Sequence, residues 1–455
     1  MARHLLFAVM LILSVIPAMS HAASSRYSWL VDQLYTFNHP FKAQLPGELS
    51  AKMEKMAVNP FAFYRGTAHL FYQDMNTWPT SAYVNYATAL TWLEGDMHLQ
   101  NLGAFRDANG NEVFDTTDFD EGYWGQYVWD VRRMTVSILL AAKENGLSSS
   151  DQQKAARRFL ESYLTKLADF KGNDDEKTYR LTTGNTNGVV KDTIQALSGN
   201  SQSELLSKYT TVNSSGKRLF AYSSSLQAVS ATTLSAIKSA MTAYINSIPS
   251  TKRYGGSYYT IKDVALKTGS GVGSLGRYRY YLLLEGSSTS SSNDVILEMK
   301  QEVASAVSIA APDNMPASVY GYHEGNRVVK THKAMLNNAD VLLGYTTMNG
   351  LKFMLREKSA YQEDFDYSQL TSYSKFYDAA GYFGKVVAKN HALADKDYDS
   401  ALIGYSIDKE ILDAIGANSS GFITEILNFS VNYAAQVEQD YTDFLLARQS
   451  GEVLY

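Results

Sequence analysis

The chain has 455 residues, of which 45% are hydrophobic and 19% are charged, and its formal net charge is −5. This composition is typical of a globular protein and excludes a disordered or fibrous one. The acidic balance argues against nucleic-acid binding, because neutralising phosphates requires a basic surface. The sequence contains no cysteine, which excludes disulfides, thiolate metal sites and cysteine nucleophiles.

The first 22 residues have the pattern of a secretory signal. Arg3 and His4 give a basic start, residues 5–19 form an apolar stretch, and Ser20-His21-Ala22 end in small residues suited to cleavage. We therefore predict an exported protein, periplasmic or extracellular, with no stable membrane insertion after cleavage. An uncleaved anchor or a buried N-terminal helix is the alternative, although the apolar stretch falls short of the roughly 20 residues that span a membrane.

Hydrophobic periodicity predicts an α+β chain, helical in its first 170 residues and at its C-terminus, with strands between. Residues 26–75 have helix-like spacing broken at Asn59-Pro60, and residues 83–92 predict a strand or short helix. Further helices are predicted over 129–145, after a cap at Ser148, and over 327–343, 369–394 and 419–447. Strands are predicted over 111–117, 277–285, 294–300 and 351–356. The serine-rich stretch 171–255 gives no firm elements.

The segment Gly95-Asp96-Met97-His98-Leu99-Gln100-Asn101 carries the first candidate site. In phosphoryl transfer an aspartate accepts the proton of the attacking hydroxyl, and a following asparagine holds a magnesium ion beside it. We therefore interpret Asp96 as a candidate catalytic base and Asn101 as a candidate metal ligand. A plain turn is the competing interpretation, because Gly, Asp and Asn all favour turns.

A second acidic segment, Asp118-Phe119-Asp120-Glu121, follows the first closely. Carboxylates suit a hard cation such as magnesium, and phosphoryl-transfer enzymes place a metal-binding aspartate beside a phenylalanine soon after the catalytic loop. Asp118 and Asp120 are therefore candidate magnesium ligands. The alternative is a solvated acidic loop, against which Phe119 counts, because a buried ring would fix the flanking carboxylates.

A glycine-rich segment and a lysine complete the candidate site. Gly271, Gly273 and Gly276 form a G-x-G-x-x-G pattern before a strand, which favours a flap over nucleotide phosphates rather than a dinucleotide-binding turn. Lys300 ends the next predicted apolar strand, where burial is costly unless the amine meets an anion. We predict that the glycines bind nucleotide phosphates and that Lys300 anchors them as a catalytic group. A hairpin turn and an ordinary edge lysine are the alternatives.

These parts indicate a kinase-like phosphotransferase, although the usual order is flap, lysine, catalytic loop and metal aspartate. Residues 382–392 resemble the helix that leads into the catalytic loop of aminoglycoside-phosphotransferase-like kinases, yet they lie near the C-terminus. We therefore predict a circularly permuted, protein-kinase-like fold, with a mainly helical large lobe and a small antiparallel β lobe. Glu302 and Glu324 are candidates for the glutamate that holds the lysine in such a lobe.

Several sequence blocks are shared with a known family. They are residues 59–66 (NPFAFYRG), 95–98 (GDMH), 118–121 (DFDE), 129–133 (WDVRR) and 325–329 (GNRVV). Together they resemble the bacterial family named domain of unknown function 2252, over about residues 50–445. The resemblance implies no settled reaction, so the kinase interpretation rests on the motifs and on fold-level analogy. The family usually has Asn-Phe-Gly where this chain has Asn101-Leu102-Gly103.

Three further residues are expected to have structural roles. Asp130 is predicted to accept backbone hydrogen bonds near the catalytic-loop candidate as a buried carboxylate, and His98 to orient that loop. Arg65 is expected either to pair with the acidic cluster or to lie at the surface. The chain has no H-E-x-x-H and no G-x-S-x-G pattern, which argues against a zinc enzyme and a serine hydrolase.

The predicted organisation follows the motifs. It comprises a signal (1–22), a large-lobe part with the catalytic-loop and metal motifs (23–170), a polar connecting or inserted region (171–255), a small β lobe with the flap and Lys300 (256–360), and helices that complete the large lobe (361–455). The predicted function is phosphotransfer dependent on Mg²⁺ and ATP, to an unidentified small-molecule or protein acceptor. An inactive binding protein on the same fold and a metal-dependent phosphoester hydrolase are the alternatives, because an exported protein meets little ATP.

Overall fold

A computed structural model describes residues 25–455. The predicted secretory signal, residues 1–22, lies outside the described residues. The described chain is α+β, with many helices and small antiparallel sheets. Within residues 25–455 no helix combines the length and the apolar character needed to cross a membrane.

Helices and strands are interspersed along the described chain. Among residues 25–455 the helices are α1 (Ser25–Asn38), α2 (Pro46–Met56), α3 (Pro60–Gly66), α4 (Ala68–Thr77), α5 (Tyr127–Glu144), α6 (Ser149–Phe170), α7 (Gly188–Ala196), α8 (Gln202–Tyr209), α9 (Ala231–Ser247), α10 (Val307–Ala310), α11 (Glu324–Met335), α12 (Tyr373–Leu393), α13 (Lys396–Asp399), α14 (Ile407–Ile415) and α15 (Ser419–Ser450). The strands are β1 (Thr91–Leu93), β2 (Leu102–Arg106), β3 (Glu112–Thr116), β4 (Tyr123–Gly125), β5 (Thr210–Val212), β6 (Arg218–Phe220), β7 (Leu226–Ala228), β8 (Ile261–Lys267), β9 (Arg279–Leu284), β10 (Val295–Glu302), β11 (Gly344–Met348), β12 (Leu351–Glu357) and β13 (Gln362–Asp364).

The helical part of the molecule is built around α5, which is buried on all sides from Tyr127 to Ala142. Helix α6 begins where the sequence predicts, because the Ser148 side chain accepts a hydrogen bond from the Asp151 N–H. Helices α6 and α12 pack so closely that a Cβ atom at Gly384 would lie 2.4 Å from the Phe159 carbonyl oxygen. Small residues on α12 therefore fix the distance between these two helices.

The largest sheet has six antiparallel strands in the order β11-β12-β10-β9-β8-β7. The strands predicted over 277–285, 294–300 and 351–356 are confirmed as β9, β10 and β12. Strand β10 lies between β9 and β12, with Lys300 paired to Arg279 on one side and to Met354 on the other. Lys300 therefore lies in a central strand, and its interpretation as an edge lysine is wrong.

The serine-rich stretch 171–255 is more ordered than its sequence indicates. It contains α7 to α9 and β5 to β7. Helix α9 buries Ile237, Met241 and Tyr244 against one face of the large sheet, in a cluster with Leu297 and Phe353. The apolar residues of α9 thus form a layer that covers one side of the sheet, whereas Val190 and Ile194 of α7 belong to the main core.

Two predicted elements differ from the observed ones. The helix expected over 327–343 is α11, which begins at Glu324, because the His323 side chain caps its first turn, and ends at Met335. Asn338 then turns the chain with a φ of +52°. The stretch 83–92, expected as a strand or short helix, contains a short 3-10 helix at Ala87–Ala89 and the beginning of the strand Thr91–Leu93, with turns before them.

A small sheet of β13, β2 and β3 places the acidic segments of the chain side by side. Strands β2 and β3 form a hairpin with Leu102 opposite Thr116. Asn101 precedes the first strand of this hairpin, and Asp118 follows the second. Because the two ends of a hairpin lie next to each other, both segments face the same point.

Gly384→Ala tests the close packing of α6 and α12. The added methyl group would overlap the backbone of α6, so we expect the free energy of unfolding to fall by about 1–3 kcal/mol. Denaturant unfolding measured by circular dichroism gives this value.

Gly47→Ala is the matched control, because Gly47 lies in α2 with no atom within 4 Å of the added Cβ. It should leave stability unchanged or raise it by about 0.5–1 kcal/mol, as expected for Gly→Ala in a helix. Equal unfolding midpoints for the two variants would contradict the packing argument.

Candidate functional site

A polar cavity of about 380 Å³ contains most of the predicted site residues. Its walls come from the loop after β1, the loop after β3, the β8–β9 loop and the inner face of the large sheet. We call this cavity the cleft. The predicted site residues that line it are Asp96, Asn101, Asp118, Asp120, Gly271 and Gly273. Segments from both halves of the chain thus meet at one place.

Two buried carboxylates, those of Asp130 and Glu94, hold the loop that carries Asp96. The Glu94 and Gly95 N–H groups donate to the two oxygens of Asp130, at 2.8 and 3.0 Å. This confirms the structural role predicted for Asp130. The Glu94 carboxylate in turn accepts hydrogen bonds from the Asp96 N–H and the Asn101 side chain. Glu94, which the sequence analysis missed, therefore fixes the ends of this loop relative to each other.

Arg133 is the direct partner of Asp96. Its Nε donates to Asp96 Oδ1 at 2.8 Å, and a second guanidinium nitrogen binds the same oxygen. Burial raises the pKa of Asp96 to about 6, against the opposing effect of Arg133. Oδ2 of Asp96 lies 3.8 Å from Nε2 of His98, and burial keeps the pKa of that histidine well below its usual value. Asp96 therefore presents one carboxylate oxygen that Arg133 does not bind.

Lys300 lies between Asp118 and Asp120. Its Nζ is 3.1 Å from Asp118 Oδ2 and forms an ion pair with Asp120. Burial opposes the charge on Lys300, but the two carboxylates outweigh burial and raise its pKa. The side chain is only 2% exposed. These three predicted residues thus form a direct contact between the two halves of the chain.

Asp118 and Asp120 differ in their ionisation. Burial alone would raise the pKa of Asp118, but Lys300 and Arg356 hold it well below the usual range. Burial and the Asp118 charge raise the pKa of Asp120 to about 6. Asp118 is therefore a carboxylate at neutral pH, whereas Asp120 ionises near the lower end of the physiological range.

Some oxygen atoms of this cluster are of the kind that binds a hard cation, although the Lys300 amine already pairs with both Asp118 and Asp120. Oδ1 of Asp120 is buried and has no hydrogen-bond partner among residues 25–455. Both hydrogens of the Asn101 amide are used by Glu94 and by the Asp96 carbonyl, which leaves the amide oxygen for a ligand. Carboxylate and amide oxygens are the donors that Mg²⁺ prefers. Asn101, Asp118 and Asp120 are thus the residues that would hold such an ion.

The glycine-rich segment forms the β8–β9 loop and lies against α2. Lys55 donates to the carbonyl oxygens of Gly269 and Gly271, and Lys52 donates to that of Gly273. Gly271 and Gly273 line the cleft. Gly276 instead lies outside the lining, where an added Cβ would meet Leu49 at 2.7 Å. The loop carbonyls point toward α2 and the Gly269 N–H donates to Glu48, so the N–H groups of Gly271 and Gly273 are among those left for an anion.

A charged ladder that the sequence analysis missed crosses the roof of the cleft. Glu298 on β10 accepts hydrogen bonds from Arg279 on β9 at 2.7 Å and from Arg356 on β12 at 3.0 Å. The two arginines outweigh burial and hold the pKa of Glu298 far below its usual value. The alternation of charge at Glu298, Lys300 and Glu302 along β10 is the signal that could have revealed this face.

The two candidates for a lysine-holding glutamate have different surroundings. Glu324 forms an ion pair with Arg327 in its own helix. Glu302 is buried on the same face of β10 as Lys300, and neither of its carboxylate oxygens has a hydrogen-bond partner within residues 25–455. Burial and the Asp120 charge raise the pKa of Glu302 well above its usual value. Lys300 is therefore held by Asp118 and Asp120 rather than by either glutamate.

Lys300→Met tests how strongly the site depends on the buried amine. The substitution leaves two carboxylates facing each other, so we expect the free energy of unfolding to fall by about 3–5 kcal/mol. Added Mg²⁺ should restore more of the melting temperature in this variant than in the wild type, because the ion replaces the missing positive charge. Thermal and denaturant unfolding, with and without Mg²⁺, give both values.

Lys409→Met removes an exposed ion pair with Asp413 and serves as the control. It should leave the unfolding midpoint unchanged, because exposed pairs contribute little. A Lys300→Met variant as stable as this control would show that the amine is not required.

The model of a family described as "Uncharacterized protein conserved in bacteria (DUF2252)" matches residues 44–447. Because the match covers most of the sequence, the chain belongs to this family, as its sequence blocks indicate. No curated protein and no solved structure matches the chain.

Proposed function

We propose that this member of the DUF2252 family is a Mg²⁺-dependent phosphotransferase that uses ATP as its phosphoryl donor, on a circularly permuted, kinase-like two-lobe fold. The observation that carries the proposal is the contact of Lys300 with Asp118 and Asp120, next to a loop that presents Asp96 and Asn101 to the same cleft. The N-terminal pattern of residues 1–22 adds export to the proposal.

The topology of the large sheet supports this proposal. Strands β8, β9 and β10 form a meander, the glycine-rich loop joins the first two, and Lys300 lies on the third. Helix α11 follows, and then β11 and β12 complete the sheet. Protein kinases likewise place a glycine-rich loop over the phosphates, the lysine on their third strand and a helix after it.

The connections of the helical part support the permuted order. The Asp96 loop, the β2–β3 hairpin and Asp118 follow one another along the chain, as the catalytic loop and the metal aspartate do in kinases. Helix α12, whose sequence resembles the helix before a kinase catalytic loop, lies far away in the chain but ends next to this loop. His391 of α12 contacts Asp130, 3.4 Å from its Oδ2.

The predicted site residues have distinct roles in the proposed reaction. Asp96 accepts the proton of the acceptor hydroxyl at Oδ2, because Oδ1 is bound by Arg133. Asn101, Asp118 and Asp120 would hold Mg²⁺, which when bound would neutralise charge on the phosphoryl group. Lys300 and the N–H groups around Gly271 and Gly273 hold the donor phosphates. Positioning and charge neutralisation supply the rate enhancement.

Asp118→Asn tests the nucleotide and metal site. Wild-type protein at a hundredfold excess of Mg-ATP over its Kd should gain about 2.7 kcal/mol of stability, and the variant should lose most of this gain. Thermal-shift titration with Mg-ATP, ATP alone and Mg²⁺ alone separates the possibilities. A shift that needs only the metal supports a phosphoester hydrolase, and no shift in any arm supports an inactive binding protein; either result contradicts the proposal.

Asp313→Asn is the control for this titration, because Asp313 is an exposed carboxylate away from the cleft. It should keep the full Mg-ATP shift. Asp96→Asn should also keep the shift but lower the slow transfer of phosphate from ATP to water by roughly 10²–10⁴-fold, as removal of a general base does.

The raised pKa of Asp96 predicts the direction of the pH dependence. Only the ionised carboxylate accepts a proton, so the rate of ATP hydrolysis by the wild type should rise through pH 6 and level off above it. Initial rates at saturating Mg²⁺ between pH 5 and 8, with the buffer ionic strength held constant, measure this profile. A rate that stays flat or falls across this range would contradict Asp96 as the base.

A further inference from the structure

Three acids from two distant segments of the chain meet in the helical part of the molecule. Asp174 and Glu176 follow helix α6, and Asp397 lies in α13. One carboxylate oxygen of each residue lies within 4.8 Å of the oxygens of the other two. None of the three residues lines the cleft. This second group of acids, which the sequence analysis did not single out, is therefore separate from the candidate site described above.

Glu176 is the buried member of the group. Its side chain is 3% exposed, and its Oε2 atom has no hydrogen-bond partner among residues 25–455. The Glu176 carboxyl group contacts that of Asp397, and burial together with this contact raises the pKa of Glu176 to about 8. Two carboxyl groups in contact repel each other unless a proton or a cation lies between them. The buried oxygen of Glu176 thus lacks a positive partner.

The charge around these acids is not balanced within the protein. Among the described residues 25–455, Lys177 is the only cation that forms an ion pair with them, at 3.0 Å from Asp174 and 2.7 Å from Asp397. Its side chain is 41% exposed, and a lysine of this kind can turn to the solvent on its flexible stem. Asp395 and Asp408 add two more buried acids to the same region. One exposed ammonium group therefore faces an excess of carboxylates.

Hydrogen bonds fix both segments before any ion binds. The Asn337 side chain donates to the carbonyl oxygens of Glu176 and Lys177, at 3.0 and 2.9 Å. On the other side, Asp395 accepts hydrogen bonds from the Asp397 and Ile407 N–H groups, both at 2.9 Å. The carboxylates are thus held together by contacts other than their own, which lowers the cost of ordering a metal site.

We propose that Asp174, Glu176 and Asp397 bind Ca²⁺, which links the segment after α6 to α13. All three donors are carboxylate oxygens, and the site is open to water on the side of Asp174. Ca²⁺ accepts six to eight oxygen ligands in flexible geometry, whereas Mg²⁺ requires a nearly ideal octahedron. A proton shared by Glu176 and Asp397 is the competing arrangement. Because the site lies apart from the cleft, it is independent of the proposed phosphotransfer.

Isothermal titration of the full chain, first freed of metals with EDTA, tests the proposal with CaCl₂ and MgCl₂ as the probes. We expect Ca²⁺ to bind with a dissociation constant of about 10⁻³ M or lower, the range of calcium sites in extracellular modules. Glu176→Gln should weaken this binding at least about tenfold, because one charged ligand is lost. Absence of Ca²⁺ binding up to about 10 mM would overturn the proposal and leave a shared proton as the explanation. Mg²⁺ binding lost in Glu176→Gln, with Ca²⁺ binding unchanged, would also overturn it.

Matched variants separate a metal ligand from a structural acid. The glutamine of Glu176→Gln can donate to Asp397 as a protonated Glu176 would, so the melting temperature without calcium should stay unchanged while the calcium-induced rise is lost. Asp174→Asn, at an exposed position, should likewise weaken Ca²⁺ binding by about tenfold. Asp175→Asn makes the same charge change at an exposed neighbour outside the group and should weaken it less than about twofold.

A variant of the cleft locates the ion. Asp118→Asn should retain the Ca²⁺ binding that Glu176→Gln loses. Calcium binding that is lost in Asp118→Asn and retained in Glu176→Gln would place the ion in the cleft, which would overturn the proposal and leave the proposed function intact. Equal losses in Glu176→Gln and Asp175→Asn would show attraction by the general negative charge of this surface, and would also contradict a defined site.

Discussion

The contact of one nearly buried amine with two carboxylates is the constraint on which the cleft depends. Lys300 lies in the middle of the large sheet, whereas Asp118 and Asp120 lie on the loop after β3. Separating them would leave a buried charge without compensation, which costs several kcal/mol. Arg327 of α11 reinforces the contact, because its guanidinium donates to the Asp120 and Gly122 carbonyls. The sheet and the helical part are therefore held together at the position of the candidate site.

Burial gives the acids of this region different charges although they lie close together. Lys300 and Arg356 keep Asp118 ionised, while burial raises the pKa values of Asp96 and Asp120 to about 6 and that of Glu94 well above its usual value. The cleft therefore contains both a carboxylate that stays ionised, that of Asp118, and two carboxyl groups that can still gain or lose a proton, those of Asp96 and Asp120. Such a distribution is common where proton transfer and cation binding take place at one site.

Local sequence signals predicted much of the site but little of its roof. The Asp96 loop, Asp118 and Lys300 were found because turn residues and a charged residue in an apolar strand are visible locally, and the Ser148 cap was correct for the same reason. The ladder at Glu298 was missed because it depends on register: Arg279 and Arg356 come from strands that are adjacent only after folding. Helix α9 was missed because its apolar residues become recognisable only against the sheet they cover. The length of α11 depended on a histidine cap, which composition does not indicate.

Hydrogen bonds from the two lysines of α2, Lys52 and Lys55, attach the glycine-rich loop to the N-terminal helices. Lys52 is fully enclosed, and burial together with Arg277 lowers its pKa to about 7. A substantial fraction of the Lys52 side chains therefore carries an uncharged amine at neutral pH. The hydrogen bond from Lys52 to the Gly273 carbonyl thus weakens as the solution becomes more alkaline. The position of the loop is consequently coupled to a segment more than two hundred positions earlier in the chain, and a truncation that removes α2 would take away the lysines that hold the loop together with the core residues Met53 and Met56.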